Sequence, residues 1–339
     1  MSLPSLAADP MQMTLRQPNR GTEQRRPFPI GIRRGDCGFA ATFQDIAPAA
    51  FVDPFVAETI ARIGGETTER PLDTSCEQLS DLAAIAPRGI IYHVSKCGST
   101  LVSQTLKQLD DVIVYSQPEA LNGLLMPPHA CSPDELTRAL RAFGALLARH
   151  AGGNYVLKLE SWHALYCRQL QRAFPDTPWV FCVRDPIDVA VSVMEDPDPG
   201  VWYRCLGSAD NPFFDAFGLP QASARAPGDY IALFYAKFCD AIRQLDPQTG
   251  RIVAYDRMPD SIWTCIAPAF GLEVTAAALA RMQQATQFYS KDPRGAVRTF
   301  VADTADKRRR VAADVRAAID AKARPAYERM LHDMADVTV

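Results

Sequence analysis

Short apolar runs alternate with amphipathic stretches from residue 87 onward. Gly89-Ile90-Ile91-Tyr92-His93-Val94 predicts a buried strand, and residues 100–109 carry Leu101, Val102, Leu106 and Leu109 at helical spacing. Further apolar runs at 112–115, 155–159, 179–183 and 251–255 predict four more strands. Helices are predicted at 133–150, 162–174, 186–194 and 230–245. Ser132, Pro133 and Glu135 supply the N-cap, first-turn proline and capping-box acid of the first of these. Two helices follow at 258–270 and 275–284, then an irregular stretch at 287–304 and a charged, Ala-rich helix at 306–334 interrupted by Pro325. Strands alternating with helices imply an α/β three-layer sandwich: a mainly parallel sheet of about five strands covered on both faces. Residues 1–30 are polar and proline-dotted and read as a loose arm; 35–65 predict a capping segment with a helix near 53–63. The expected division is therefore an N-terminal arm and capping subdomain at 1–86, then a catalytic domain at 87–339. A Pro-, Gly- and Asp-rich insertion at 196–228 interrupts the second unit.

Composition narrows the class. With 47% apolar and 22% charged residues, the 339-residue chain can bury a large core. A net charge of −3 argues against a nucleic-acid partner. No run of about 18 apolar residues suggests a membrane span, and no signal-peptide pattern opens the sequence. The nine scattered cysteines show no metal-ligand spacing, so no metal site is expected, and they suit a reducing cytoplasm. Arginine outnumbers lysine 29 to seven, which draws attention to lysines that fall inside motifs.

Ser95-Lys96-Cys97-Gly98-Ser99-Thr100 joins the first core strand to its helix. A small-residue turn there presents backbone N–H groups, hydroxyls and a helix N-terminus to an anion, and Lys96 adds a mobile charge. The order differs from a nucleoside-triphosphatase loop, in which Lys follows the second glycine. A second strand–turn–helix, 180–192, places Arg184 at a strand end and Ser192 eight residues on, where a guanidinium and a hydroxyl could meet a second phosphate.

The two motifs together resemble the sulfotransferase family that uses 3′-phosphoadenosine 5′-phosphosulfate (PAPS), which has the P-loop nucleoside-triphosphate-hydrolase-like fold. The resemblance implies that residues 95–100 hold the 5′-phosphosulfate and that Arg184, Asp188 and Ser192 match the 3′-phosphate segment. Val253-Ala254-Tyr255-Asp256-Arg257-Met258 is similar to the family's Y-E-D segment, placing Tyr255 by the adenine. Lys291 and Arg294 occupy the late position of its R-K-G segment, which closes over the 3′-phosphate. It implies PAPS as donor, 3′-phosphoadenosine 5′-phosphate (PAP) as product and no catalytic metal. The activity it implies is sulfuryl transfer to a hydroxyl or amine, with Lys96 stabilising the departing phosphate. A P-loop kinase using ATP-Mg²⁺ and a non-catalytic nucleotide-binding protein of the same fold are the alternatives.

Three residues compete as the base that deprotonates the acceptor. Lys158 and Glu160, 26 and 24 residues before Arg184, overlie the family's K-T-H segment, with Glu160 at the histidine position. As i and i+2 on a strand they would share a face, and the lysine would keep Glu160 ionised. His163 follows three residues later, and Glu119 follows the second core strand. The acceptor is expected to be a small molecule or a peptide. Trp202, Tyr203, Phe213, Phe214 and Phe217 in the insertion either line its pocket or pack in the core.

Overall fold

Eight strands form two sheets in the computed structural model, which describes residues 24–35, 38–74, 77–126, 131–196, 211–219, 226–287, 308 and 311–339. The larger sheet contains β4 (Gly89–His93), β5 (Ile113–Ser116), β6 (Tyr155–Lys158), β7 (Trp179–Val183) and β8 (Gly250–Ala254). Its order is β5-β6-β4-β7-β8, and every neighbouring pair is parallel. The five predicted core strands are all present within a residue or two, and all but a few of their residues are buried.

The chain leaves β4 toward one edge and β7 toward the other. Right-handed crossovers therefore place the helices on opposite faces and open a crevice between the carboxyl ends of β4 and β7. On one face lie α2 (Ser99–Leu106) and α7 (Ala276–Ala285), which pack together. The other carries α3 (Pro133–Ala151), α4 (Cys167–Ala173) and α6 (Pro227–Ile242). After β7 comes α5 (Pro186–Met194), packed against α6. The C-terminal helices α8 (Ala313–Ala318) and α9 (Arg324–Asp333) also dock on α6. They are joined by a π-helical turn at Ile319–Ala323, so Pro325 does not end the helix: its missing N–H falls where the ladder has already widened.

The N-terminal region departs from the expected arm. β1 (Arg26–Gly35), β2 (Gly38–Ile46) and β3 (Thr67–Pro71) make an antiparallel sheet in the order β1-β2-β3, so residues 26–30 are strand. Pro27 and Pro29 are tolerated because β1 is an edge strand. The expected helix is α1, at Val56–Ile63. Phe28 and Phe51 carry this unit into the main core by packing on Tyr115 of β5 and His150 of α3. Tyr115 Oη and His150 Nδ1 are 2.6 Å apart, and His150 Nε2 is 3.0 Å from the Ile46 carbonyl. Gly123 meets β1 so closely that an added Cβ would lie 1.7 Å from the Ile32 carbonyl oxygen.

The insertion's described part, 211–219, contains the short helix Pro212–Ala216. Phe213 and Phe214 are buried against Phe234, and Phe213 also meets Trp162, so both are core residues, while Phe217 packs on Tyr166. Trp202 and Tyr203 lie outside the described residues. No described helix is long and apolar enough to cross a membrane.

Gly123→Ala should destabilise the protein by about 3 kcal/mol, because the backbone contact leaves no room for a methyl group. Urea unfolding would measure it, and a cost below about 0.5 kcal/mol would contradict the close approach.

Candidate active site

The loop between β4 and α2 is the most contorted backbone at the carboxyl edge of the sheet. Ser95 has φ 70°, Lys96 φ 49° and Gly98 φ 82°. Left-handed conformations at non-glycine residues cost energy and persist only where surrounding contacts impose them. Here the contacts are visible. His93, the last residue of β4, places Nε2 2.9 Å from the Leu159 carbonyl and accepts from Ser95 N–H at Nδ1, 3.0 Å. This fixes a neutral imidazole with the proton on Nε2. Ser95 Oγ donates to Ser161 Oγ at 3.0 Å. At the other end of the loop, an added Cβ at Gly98 would lie 2.9 Å from Met258 Sδ and 3.1 Å from the Tyr255 ring. Both the left-handed angle and this close approach require glycine there.

Gly98 is the N-cap of α2 and supplies no side-chain acceptor, whereas Ser132, Asp185 and Thr275 cap α3, α5 and α7 with theirs. The first-turn N–H groups of α2 therefore have no side-chain cap and face the crevice end of the sheet. Ser99 and Thr100 open this turn. The Cys97 side chain is fully buried and burial pushes its thiol up, so only its backbone can address a ligand.

Arg184 comes from the end of β7, across the crevice. Its Nη1 donates to the Lys96 carbonyl at 3.3 Å, and its guanidinium stacks on Tyr255, 4.3 Å from the ring centroid. Tyr235 Oη of α6 donates to the Arg184 carbonyl at 2.7 Å and fixes the backbone. Three strand ends, β4, β7 and β8, thus meet at Lys96, Arg184 and Tyr255. Arg184 Nε lies 3.5 Å from buried Asp188 Oδ2, one turn into α5, and Ser192 follows another turn along the same face.

Two residues without a sequence prediction join this cluster. Arg308 grips Asp188 with two hydrogen bonds, Nε to Oδ1 at 2.7 Å and Nη2 to Oδ2 at 3.0 Å, and Arg324 Nη2 reaches Asp185 at 3.2 Å. The 307–310 Lys-Arg-Arg-Arg run was the only sequence signal for the first. Lys291 and Arg294 lie outside the described residues. Lys96 Nζ pairs with Asp196, just beyond α5. Among the described residues, no group of three or more His, Cys, Asp and Glu side chains gathers as a metal site.

The base candidates sit in different environments. Glu160 is not on a strand face with Lys158: it lies beyond β6, as the cap of the turn Ser161–Tyr166. Its carboxylate accepts from Asn122 Nδ2 at 2.8 Å, from Trp162 Nε1 at 2.8 Å and from the His163 backbone. His163 is fully buried. Its Nδ1 accepts from Glu160 N–H at 3.3 Å, and its Nε2 lies 2.8 Å from Asn122 Oδ1. Burial pushes its pKa down to about 3. Both nitrogens are therefore consumed in holding the turn. Glu119 is exposed, in the first turn after Gln117, whose φ is 54°. Lys158 is fully buried, with Nζ 4.9 Å from the Phe55 centroid, and its charge acts on the Cys97 and Cys182 thiols beneath the loop. Phe55 brings the N-terminal unit against the Lys158 ammonium.

No protein-family model matches the chain, and no characterised protein matches it by sequence. Solved bacterial sulfotransferases are similar to it in structure. One from Alicyclobacillus acidocaldarius has a TM-score of 0.40 and 14% identity, over 74% of this chain and 96% of that one. The sulfotransferase domain of the Synechococcus PCC 7002 olefin synthase has a TM-score of 0.38 and 17% identity, over 69% and 94%. Sulfotransferase STF9 from Mycobacterium avium has a TM-score of 0.38 and 14% identity, over 61% and 70%. At these values the residues of the site, and not the similarity, carry its chemistry.

His163 gives a prediction for acid stability. Its folded pKa of about 3 lies below the unfolded value near 6.5, so between those limits the unfolded chain binds a proton that the native state refuses. Stability is full above pH 6.5 and falls by about 1.4 kcal/mol per pH unit as pH drops toward 3. His163→Gln should flatten that part of the profile in urea unfolding; an unchanged slope would show that His163 is not buried neutral.

Proposed function

We propose that the protein transfers a sulfuryl group from PAPS to a hydroxyl or amine acceptor. The single observation that carries the reading is the bond between Arg184 and the Lys96 carbonyl, which couples two cationic sites on the adjacent ends of β4 and β7. A donor with phosphates at both the 5′ and 3′ positions has use for both; a nucleoside triphosphate needs only the first.

The site's residues fit such a donor. The left-handed loop and the N-terminus of α2 offer backbone N–H groups to the 5′-phosphosulfate, with Lys96, Ser99 and Thr100 beside it. Arg184 and Ser192 would address the 3′-phosphate, and Tyr255, one face of which carries the Arg184 guanidinium, would offer the purine its other face. Bound donor supplies an electrophilic sulfur. The acceptor oxygen forms a bond to that sulfur as the bond from sulfur to the bridging 5′-phosphate oxygen breaks. The electron pair stays with the phosphate, whose growing charge Lys96 and the loop amides stabilise. The acceptor's proton goes to a carboxylate.

Glu119 is the better base, because its carboxylate is exposed whereas three donors tie Glu160 into the turn. Lys158 supports the loop from below. The acceptor would lie on the side where Ser116 pairs with Lys158 at the ends of β5 and β6, beside Phe55. The Ser116 hydroxyl there is buried with no hydrogen-bond partner among the described residues.

Calorimetry with PAP, adenosine 5′-phosphosulfate and ATP-Mg²⁺ tests the reading: PAP should bind most tightly, and tight binding of ATP-Mg²⁺ alone would contradict it. Arg184→Ala should weaken PAP by about 10- to 100-fold while changing adenosine 5′-phosphate binding far less; equal losses would give Arg184 another role. Glu119→Gln should lower turnover by about 10²- to 10⁴-fold with PAP affinity unchanged, and retained turnover would move the base to Glu160.

A further inference from the structure

Both cations assigned to the donor are already engaged, each by a carboxylate from the same helix. Asp188, Ser192 and Asp196 recur every four residues and share one face of α5 and its extension. Asp196 N–H donates to the Val193 carbonyl at 3.2 Å, and Glu195 N–H donates to the Val191 carbonyl at 3.0 Å, so the turn continues past Met194. The two acids stand roughly 12 Å apart along the axis. Asp188 holds Arg184, and Asp196 holds Lys96.

The two pairs differ in how easily they open. Asp188 is buried and also gripped at both oxygens by Arg308, so it stays in place as a support for Arg184. The Lys96 and Asp196 side chains keep 15% and 21% of their exposure, at the rim of the crevice. An incoming phosphate competes with the Asp196 carboxylate for the Lys96 ammonium, and the two anions repel each other. The repulsion is not equal for donor and product. In the donor the 5′-phosphate carries one negative charge and the sulfonate the other. After transfer the electron pair of the broken bond remains on the phosphate, which then carries about two.

We propose that Asp196 is a positioning residue that gates Lys96: it holds the ammonium when the site is free and competes for it with the product's 5′-phosphate, hastening release. The proposal rests on the sulfuryl-transfer reading of the same site. It assigns Asp196 no contact with the reacting sulfur.

Asp196→Asn keeps the side chain's size and removes only its charge. It should tighten PAP about tenfold, mainly through a slower off-rate, and lower the KM for donor, while Asp196→Glu restores wild-type behaviour. In a Lys96→Ala background the same change should do nothing. Unchanged or weaker PAP binding in Asp196→Asn would overturn the gate. So would tightening that survives in Lys96→Ala, since that is general charge repulsion. Inorganic pyrophosphate, measured in parallel, separates the gate from the donor assignment. If wild-type protein ignores PAP yet pyrophosphate shows the Lys96-dependent tightening, the gate stands and the donor assignment falls. If neither probe shows it, the gate falls too. Thermal unfolding of each variant identifies any loss due to misfolding, and Asp196→Glu then decides between the outcomes.

Discussion

The contact between Arg184 and the carbonyl of Lys96 organises the carboxyl end of the sheet. A loop with two non-glycine residues in left-handed conformations would relax if left alone. His93 and Ser161 hold its entrance, Arg184 holds its crown, and Tyr255 and Met258 close on Gly98 at its exit. Every one of these supports comes from the end of a strand or the turn that follows it. The parallel sheet therefore does more than fill the core: its register sets where the amides of the loop point. Arg184 serves both sides of this arrangement, because the guanidinium that braces the loop also stacks on Tyr255 and meets Asp188.

The same economy appears around the site. The cap of the turn at Ser161–Tyr166 uses Glu160, His163 and Asn122 as one hydrogen-bonded unit, which fixes the end of β6 beside the loop. The N-terminal sheet is bound to the core through Phe28, Phe51, Tyr115 and His150, and it delivers Phe55 to the buried ammonium of Lys158. At the C-terminal end of α2, the Lys107 ammonium donates to the Asp53 carbonyl, and Asp53 accepts from Thr59 and Arg62. Burial pulls Lys107 down to about 7. The segment around Phe55 is thus tied to the helix that begins at the 95–100 loop.

The core was legible because buried parallel strands are short continuous apolar runs, and five such runs alternate with helical spacing. The loop at 95–100 and Arg184 were legible because a strand, a turn of small or charged residues and a helix are contiguous in sequence. The N-terminal sheet was not, since Pro27, Pro29, Gly31 and paired arginines break the alternation that marks a strand. Glu160 and Lys158 misled as an i, i+2 pair because β6 ends at Lys158, and the next residues turn to cap. Asn122 and Phe55 reach the site from distant segments, and no local pattern in the sequence singles either of them out.

The central claim is that one ligand bridges the loop after β4 and the turn after β7 through two separate phosphates. Phosphorus NMR of PAP bound to the protein tests it directly, because the 5′ and 3′ groups give distinct resonances. Both should shift with wild-type protein. With Ser192→Ala, which leaves the Arg184 brace of the loop in place, the 3′ resonance alone should move toward its free position, and with Lys96→Ala the 5′ resonance alone should do so. If either substitution releases both resonances together, or neither, the two phosphates do not occupy two sites and the account is wrong.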